Sequence, residues 1–146
     1  MIDPYENKAF IPCAIHRFGN SFSGLKDNTS LGGISALIDV RTGQLTRAVN
    51  YTVDEGLNWY EYHPVSKQKI FGEIIPNWDF VKESIEKIAN KIPYIKYAGW
   101  DIIVTDEHIW ILEANNAPGM NTIQVHQPYS QIPKAWRFFQ HHGFFK

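Results

Sequence analysis

Gly99 to Asn116 reads GWDIIVTDEHIWILEANN, two apolar runs, GWDIIVT and HIWILEA, joined at Asp106 and Glu107. Runs rich in Ile, Val and Trp over this length signal strands, and their closeness makes them a hairpin. Asp101 and Glu113 interrupt the runs, and an unpaired ionised carboxylate is costly to bury, so something must compensate. With a three-residue loop, Asp106 to His108, Thr105 pairs with Ile109, Ile103 with Ile111, and Asp101 stands directly opposite Glu113. Their Cβ atoms would then lie roughly 4.5–5.5 Å apart on one sheet face. Strand alternation places Asn115 on that face as well. A two-residue loop would send the two carboxylates to opposite faces, so the reading turns on the length of the loop.

Facing carboxylates repel unless they share a proton or hold a cation, and a neighbouring amide oxygen supplies a third hard ligand. Mg²⁺ suits such a set, because it takes one or two protein carboxylates and fills its octahedron with water and phosphate oxygens. The alternative is that Asp101 and Glu113 sit near strand ends and pair with Lys or Arg, as in structural ion-pair networks. Spacing alone leaves both open.

Outward from this hairpin, Pro118, Gly119 and Met120 read as a turn, and PKAWRFFQHH from Pro133 as a short helix. Upstream, Phe80, Val81, Ile85, Ile88, Ala89 and Ile92 recur at helical spacing, which predicts a helix over Trp78 to Lys91, capped by Asn77 and ended by Pro93. The stretch EYHPVSKQKIFGEIIPNW is broken by Pro64, Gly72 and Pro76 and reads as loop with an edge strand. Ile34 to Val40 and TGQLTRAVNY form a second hairpin, turning at Arg41, Thr42 and Gly43. The whole is an α+β chain with a mainly antiparallel sheet and helices packed on one face.

The chain has 146 residues, of which 44% are apolar and 14% aromatic, with 14 Lys+Arg against 15 Asp+Glu. A single domain of this length buries roughly 68–70% of the surface that its unfolded form exposes, so no staple is needed. Cys13 has no partner Cys in the sequence. A formal net charge of -1 gives no general attraction to nucleic acid or anionic lipid. No apolar run approaches the ~20 residues that span a bilayer, and MIDPYENKAF lacks a signal-peptide pattern, so a cytoplasmic chain is expected. The histidines include no H-E-x-x-H, and the serines have no G-x-S-x-G elbow. Trp59, Tyr60, Tyr62 and Trp78 could form a sugar-stacking platform, though aromatics this frequent usually serve the core.

The segment AGWDIIVTDEHIWILEANNAPGMNTIQ resembles the closing strands of ATP-grasp ligases, in which an acid is followed about a dozen residues later by Glu-x-Asn and then a Pro-Gly turn. Further upstream, DNTSLGG resembles the Asn-x-x-x-Gly-Gly loop of the glutathione-synthetase and glutamate-ligating branches. ALIDVRTGQL, HP, FGEIIPNW and GWDI are similar to the sugar-transfer-associated group in particular. The resemblance covers about Arg17 to Gln124. It implies that Asp101, Glu113 and Asn115 hold one or two Mg²⁺ ions against the β- and γ-phosphates of ATP. It also implies nucleotide contacts from Asn28, Gly32 and Gly33, and a catalytic guanidinium at Arg17. Beside that likeness, successive glycines permit close backbone approach and an anion nest, or simply a surface turn.

The likeness has limits. The adenine pocket, glycine-rich lid and phosphate-binding lysines of the family are expected upstream of Met1, which makes residues 1–146 a single C-terminal lobe. G-x-x-x-x-G-K-[ST] and G-x-G-x-x-G do not occur, so no such cradle substitutes for that lobe. Related dipeptide-forming ligases carry an arginine two residues before the metal-binding Asp, where this chain has Gly99, so Arg17 or Lys26 would have to supply that charge. The reading is an ATP- and Mg²⁺-dependent carboxylate–amine ligase part, with a carboxylate substrate and a missing lobe in cis or trans. The alternative is a non-catalytic binding or assembly module, its open face covered by a homodimer partner.

Overall fold

In the computed structural model of the chain, residues 1–19, 33–52, 56–116 and 118–144 are described, with the side chains of 51 and 52 excepted. Among the described residues the elements run β1 (Ala14–Phe18), β2 (Ile34–Ile38), β3 (Leu45–Thr52), β4 (Gly56–Tyr60), α1 (Trp78–Lys91), β5 (Gly99–Val104), β6 (Ile109–Asn115), α2 (Asn121–Gln124) and α3 (Pro133–His141). The fold is α+β with antiparallel sheets. The chain forms two compact units: one comprises Met1–Pro12, Pro76–Met120 and Gln127–Lys146, the other Cys13–Ile75 and Asn121–His126.

The second of these is built on a four-stranded sheet in the order β1-β2-β3-β4. Ile34, Ala36, Ile38, Leu45, Ala48 and Val49 are buried, which is why β2 and β3 read so clearly as strands. Their connection is longer than the three residues expected. Asp39 N–H donates to Gln44 O, and the Asp39 carboxylate accepts the N–H groups of Arg41 and Thr42 at 2.8 and 3.1 Å. Gly43 takes φ 77, which a glycine adopts without steric cost. The β2–β3 register shifts between Ala36 and Ile38, and Thr46 Oγ1 accepts the Leu37 N–H there. β1 and β4, AIHRF and GLNWY, are too short and too polar to stand out in the sequence. The expected edge strand between Glu61 and Trp78 does not form. That segment makes the isolated bridges Tyr62–Lys69 and Gln44–Ile74, exchanges backbone hydrogen bonds with Leu45 through Gly72 and Glu73, and ends with Ile75 N–H on Gly43 O.

In the other unit, α1 spans the expected residues and buries Trp78, Val81 and Ile85, positions one helical stripe apart. Phe80, expected on that stripe, is exposed. Asn77 does not cap the helix with its side chain. It sits at φ 53, and its Nδ2 donates instead to Asp106 O at 2.7 Å, bracketing the β5–β6 turn. α3 starts at Pro133, where the missing N–H costs nothing, and buries Ala135, Phe138 and Phe139. The amino-terminal segment folds over Asp3, which is buried, accepts the N–H groups of Tyr5 and Glu6, and pairs with Arg137 of α3 at 3.2 Å.

Candidate functional site: a carboxylate-bearing ribbon

β5 and β6 form a two-stranded ribbon in which Asp101 pairs directly with Glu113 and Gly99 with Asn115. Directly paired residues share a face, so Asp101, Glu113 and Asn115 stand together. The route to this register is not the expected one. The turn closes tightly, with Thr105 N–H on His108 O at 2.9 Å and Val104 opposite Ile109. Continued without interruption, that two-residue register would set Asp101 against Leu112 and turn the carboxylates to opposite faces. Between Asp101 and Ile102 the register shifts, so that Ile102 pairs with Ile111 and Leu112 is the extra residue of a bulge. One bulge therefore returns Glu113 to the face of Asp101, the kind of re-aiming that bulges perform beside functional sites.

The Asn115 amide donates to Glu113 Oε1 at 3.0 Å. Asp101 is half-buried, whereas Glu113 and Asn115 are exposed. Two carboxylates and one amide oxygen on an open face fit Mg²⁺, which leaves much of its octahedron to water and phosphate. Among the described residues no group of three or more His, Cys, Asp or Glu side chains is placed to hold a metal ion.

Towards the turn, the same face carries Ile103 opposite Trp110, with Leu112 at the bulge. Trp110 is 61% exposed and Leu112 63%. On the other face Trp100, Ile102, Val104 and Ile109 are half-buried while Ile111 and Ala114 are exposed, and Trp100 borders a crevice shared with Ile2, Ala89 and Ile92. The ribbon thus presents donor oxygens at one end and an apolar shelf at the other. Gly99 meets the Pro-Gly turn: a Cβ built on it would lie 2.5 Å from Pro118 Cβ. No side chain fits at the position where related ligases have arginine.

Of the remaining expected residues, Arg17 is exposed on β1 opposite Ser35, and Gly33 is buried immediately before β2. Both belong to the four-stranded unit rather than to the ribbon's unit. Asn28, Gly32 and Lys26 lie outside the described residues. The sequence offered no signal for a further pair in that unit. His126 Nε2 lies 3.0 Å from Ser35 Oγ, and its Nδ1 is buried without a hydrogen-bond partner among the described residues. Desolvation pushes this imidazole down to about 4, against a smaller upward effect of the Ser35 contact. The two residues are 91 positions apart, so only the fold could bring them together.

The hairpin of this antiparallel α+β chain sets Asp101, Glu113 and Asn115 on one face beside a Pro-Gly turn. Residues 2–136 match the sugar-transfer associated ATP-grasp family, and the chain belongs to that family. Membership makes it an ATP-binding, ligase-like domain. No curated protein and no solved structure matches the chain.

Proposed function

We propose that this chain supplies the Mg²⁺–nucleotide half-site of an ATP-dependent ligase that activates a carboxylate as an acyl phosphate and passes the acyl group to an amine or similar nucleophile. The observation that carries the reading is the pairing of Asp101 with Glu113, with Asn115 on the same face, restored by the bulge at Leu112. In the first step a substrate carboxylate oxygen attacks the γ-phosphorus, and the bond to the β-phosphate oxygen breaks, giving acyl phosphate and ADP. In the second, the nucleophile forms its bond to the acyl carbon, inorganic phosphate leaves, and the nucleophile's proton is lost.

Mg²⁺, when bound, neutralises charge on the phosphate oxygens and aligns them, which is most of what phosphoryl transfer asks of a protein. Asp101 and Glu113 would hold it through carboxylate oxygens and Asn115 through its amide oxygen. Glu113 is fixed for this by the amide hydrogen bond from Asn115. The exposed shelf of Ile103, Trp110 and Leu112 suits the flat, apolar face of a nucleotide base. Lysines for the phosphates, and the second lobe that bears them, are supplied from outside these residues, in cis or in trans.

Mn²⁺ can replace Mg²⁺ at such a site and broadens nearby NMR signals. With ATP present, substoichiometric Mn²⁺ should broaden the amide signals of Asp101, Glu113 and Asn115 first, and Glu113→Ala should remove the effect while the spectrum stays dispersed. Uniform broadening, or broadening unchanged in Glu113→Ala, would refute the assignment.

A further inference from the structure

Asn121–His126 belongs to the four-stranded unit, although the chain on either side of it, up to Met120 and from Gln127, belongs to the ribbon's unit. The segment is a strap. Its first four residues form α2, and the turn is closed by Val125 N–H on Asn121 O and His126 N–H on Ile123 O, both at 3.0 Å. A helix this short gains little from its own hydrogen bonds, and none of its side chains is fully buried. The tie to the sheet comes from His126. Its Nε2 lies 3.0 Å from Oγ of the fully buried Ser35, and its ring packs edge-to-face with the Trp59 indole, centroids 5.7 Å apart. Ser35 pairs with Val49 and Val49 with Trp59, so the imidazole is fastened to one cross-strand row of β2, β3 and β4. Trp59 is therefore no open stacking platform, since His126 packs on it and the Arg47 guanidinium lies over its ring at 5.9 Å.

Upstream of the strap, Pro118 lies against Gly99, and Gly99 is the residue paired with Asn115. Only Gly119 and Met120 separate Pro118 from Asn121. Three Cα–Cα steps of about 3.8 Å reach at most about 11 Å, so a fastened strap leaves the Pro-Gly turn little slack. We propose that His126 is a positioning residue for the metal ribbon: tied to Ser35, it holds the strap, the strap keeps Pro118 seated on Gly99, and that seat fixes the strand end carrying Glu113 and Asn115. The inference rests on the reading of the ribbon as a metal–phosphate half-site. His126 touches neither metal nor nucleotide in it, because its ring is engaged by Ser35 and Trp59.

The test titrates Mn²⁺ with ATP into the full chain and reads the apparent affinity from broadening of the Asp101, Glu113 and Asn115 amide signals. His126→Ala should weaken it about fivefold or more while the spectrum stays dispersed. His126→Gln, which can keep a hydrogen bond to Ser35, should recover most of the loss. Ser35→Ala breaks the same tie from the sheet side, so it should weaken affinity by a similar factor and add little when combined with His126→Ala. It also serves alone if His126→Ala loses dispersion. A merely structural role would lower the urea midpoint without changing the affinity of the folded protein. Glu113→Ala is the reference. If it loses binding while folded His126→Ala and Ser35→Ala keep full affinity, the positioning role is overturned and the ribbon reading stands. If Glu113→Ala itself keeps full affinity, both fall. A loss in His126→Ala that Ser35→Ala does not share and His126→Gln does not recover would also overturn the proposal, because it would place the effect in the imidazole itself.

Discussion

Ser35 and His126 meet at 3.0 Å, and the imidazole is held neutral because burial penalises its charged form. In the unfolded chain the ring titrates near 6.5, and in the fold at about 4. Between those values the unfolded state binds more protons, so the ring's contribution to stability falls as pH drops from about 6.5 towards 4 and is level on either side. The loss amounts to at most about 3 kcal/mol. Urea denaturation at a series of pH values should show this slope, and His126→Gln, which can keep a hydrogen bond to Ser35 but cannot titrate, should flatten it. Some slope should remain in the variant, because burial also lowers His16 and, together with His141 and Lys96, His142. None of this was legible in the sequence, where His126 is one of six histidines with no spacing to distinguish it. The facing of Asp101 and Glu113 was legible for the opposite reason, since acids inside apolar runs contradict their surroundings and ask for an explanation, and strand alternation added Asn115 to their face.

The β5–β6 ribbon shows how an element can reach an expected register by a different route. Eleven residues separate Asp101 from Glu113, so direct pairing leaves one residue over after a two-residue turn. That residue was expected in the loop, and it sits in the strand as a bulge at Leu112. Hydrophobic patterning could not distinguish the two, because Leu112 suits either place. Gly99 is held to glycine by the Pro118 ring, so Gly99→Ala should destabilise the fold by about 1–3 kcal/mol through overpacking, measured by urea denaturation. An unchanged midpoint would mean that the Pro-Gly turn does not lie against the ribbon. Asn77 is the bracket at the other end of the ribbon. Asn77→Gly keeps a left-handed backbone at φ 53 and removes the side-chain bonds to Asp106 O and, at 3.5 Å, Thr105 O, so a loss of about 1 kcal/mol is expected in the same assay. The sequence marked Asn77 as a boundary, correctly, but could not show that its side chain serves the hairpin rather than the helix.

At the scale of the molecule, α1, α3 and the β2–β3 and β5–β6 hairpins stood out because their apolar residues recur with the right period. β1 and β4 did not, since five-residue strands carrying Arg17, His16, Asn58 and a half-exposed Trp59 have too little pattern to read. No helix is long and apolar enough to cross a membrane among the described residues. Membership of the family supports ATP binding, whereas the metal, the carboxylate and the nucleophile belong to the proposed function. The decisive measurement is calorimetric titration of Mg-ATP into the chain, with the Glu113→Ala/Asn115→Ala variant beside it and Mg²⁺ alone as blank. Saturable binding that the double variant loses, while still unfolding cooperatively at a similar midpoint, is the expected result. Binding of Mg-ATP with undiminished affinity by the folded double variant would contradict the assignment of the ribbon as the metal–phosphate half-site.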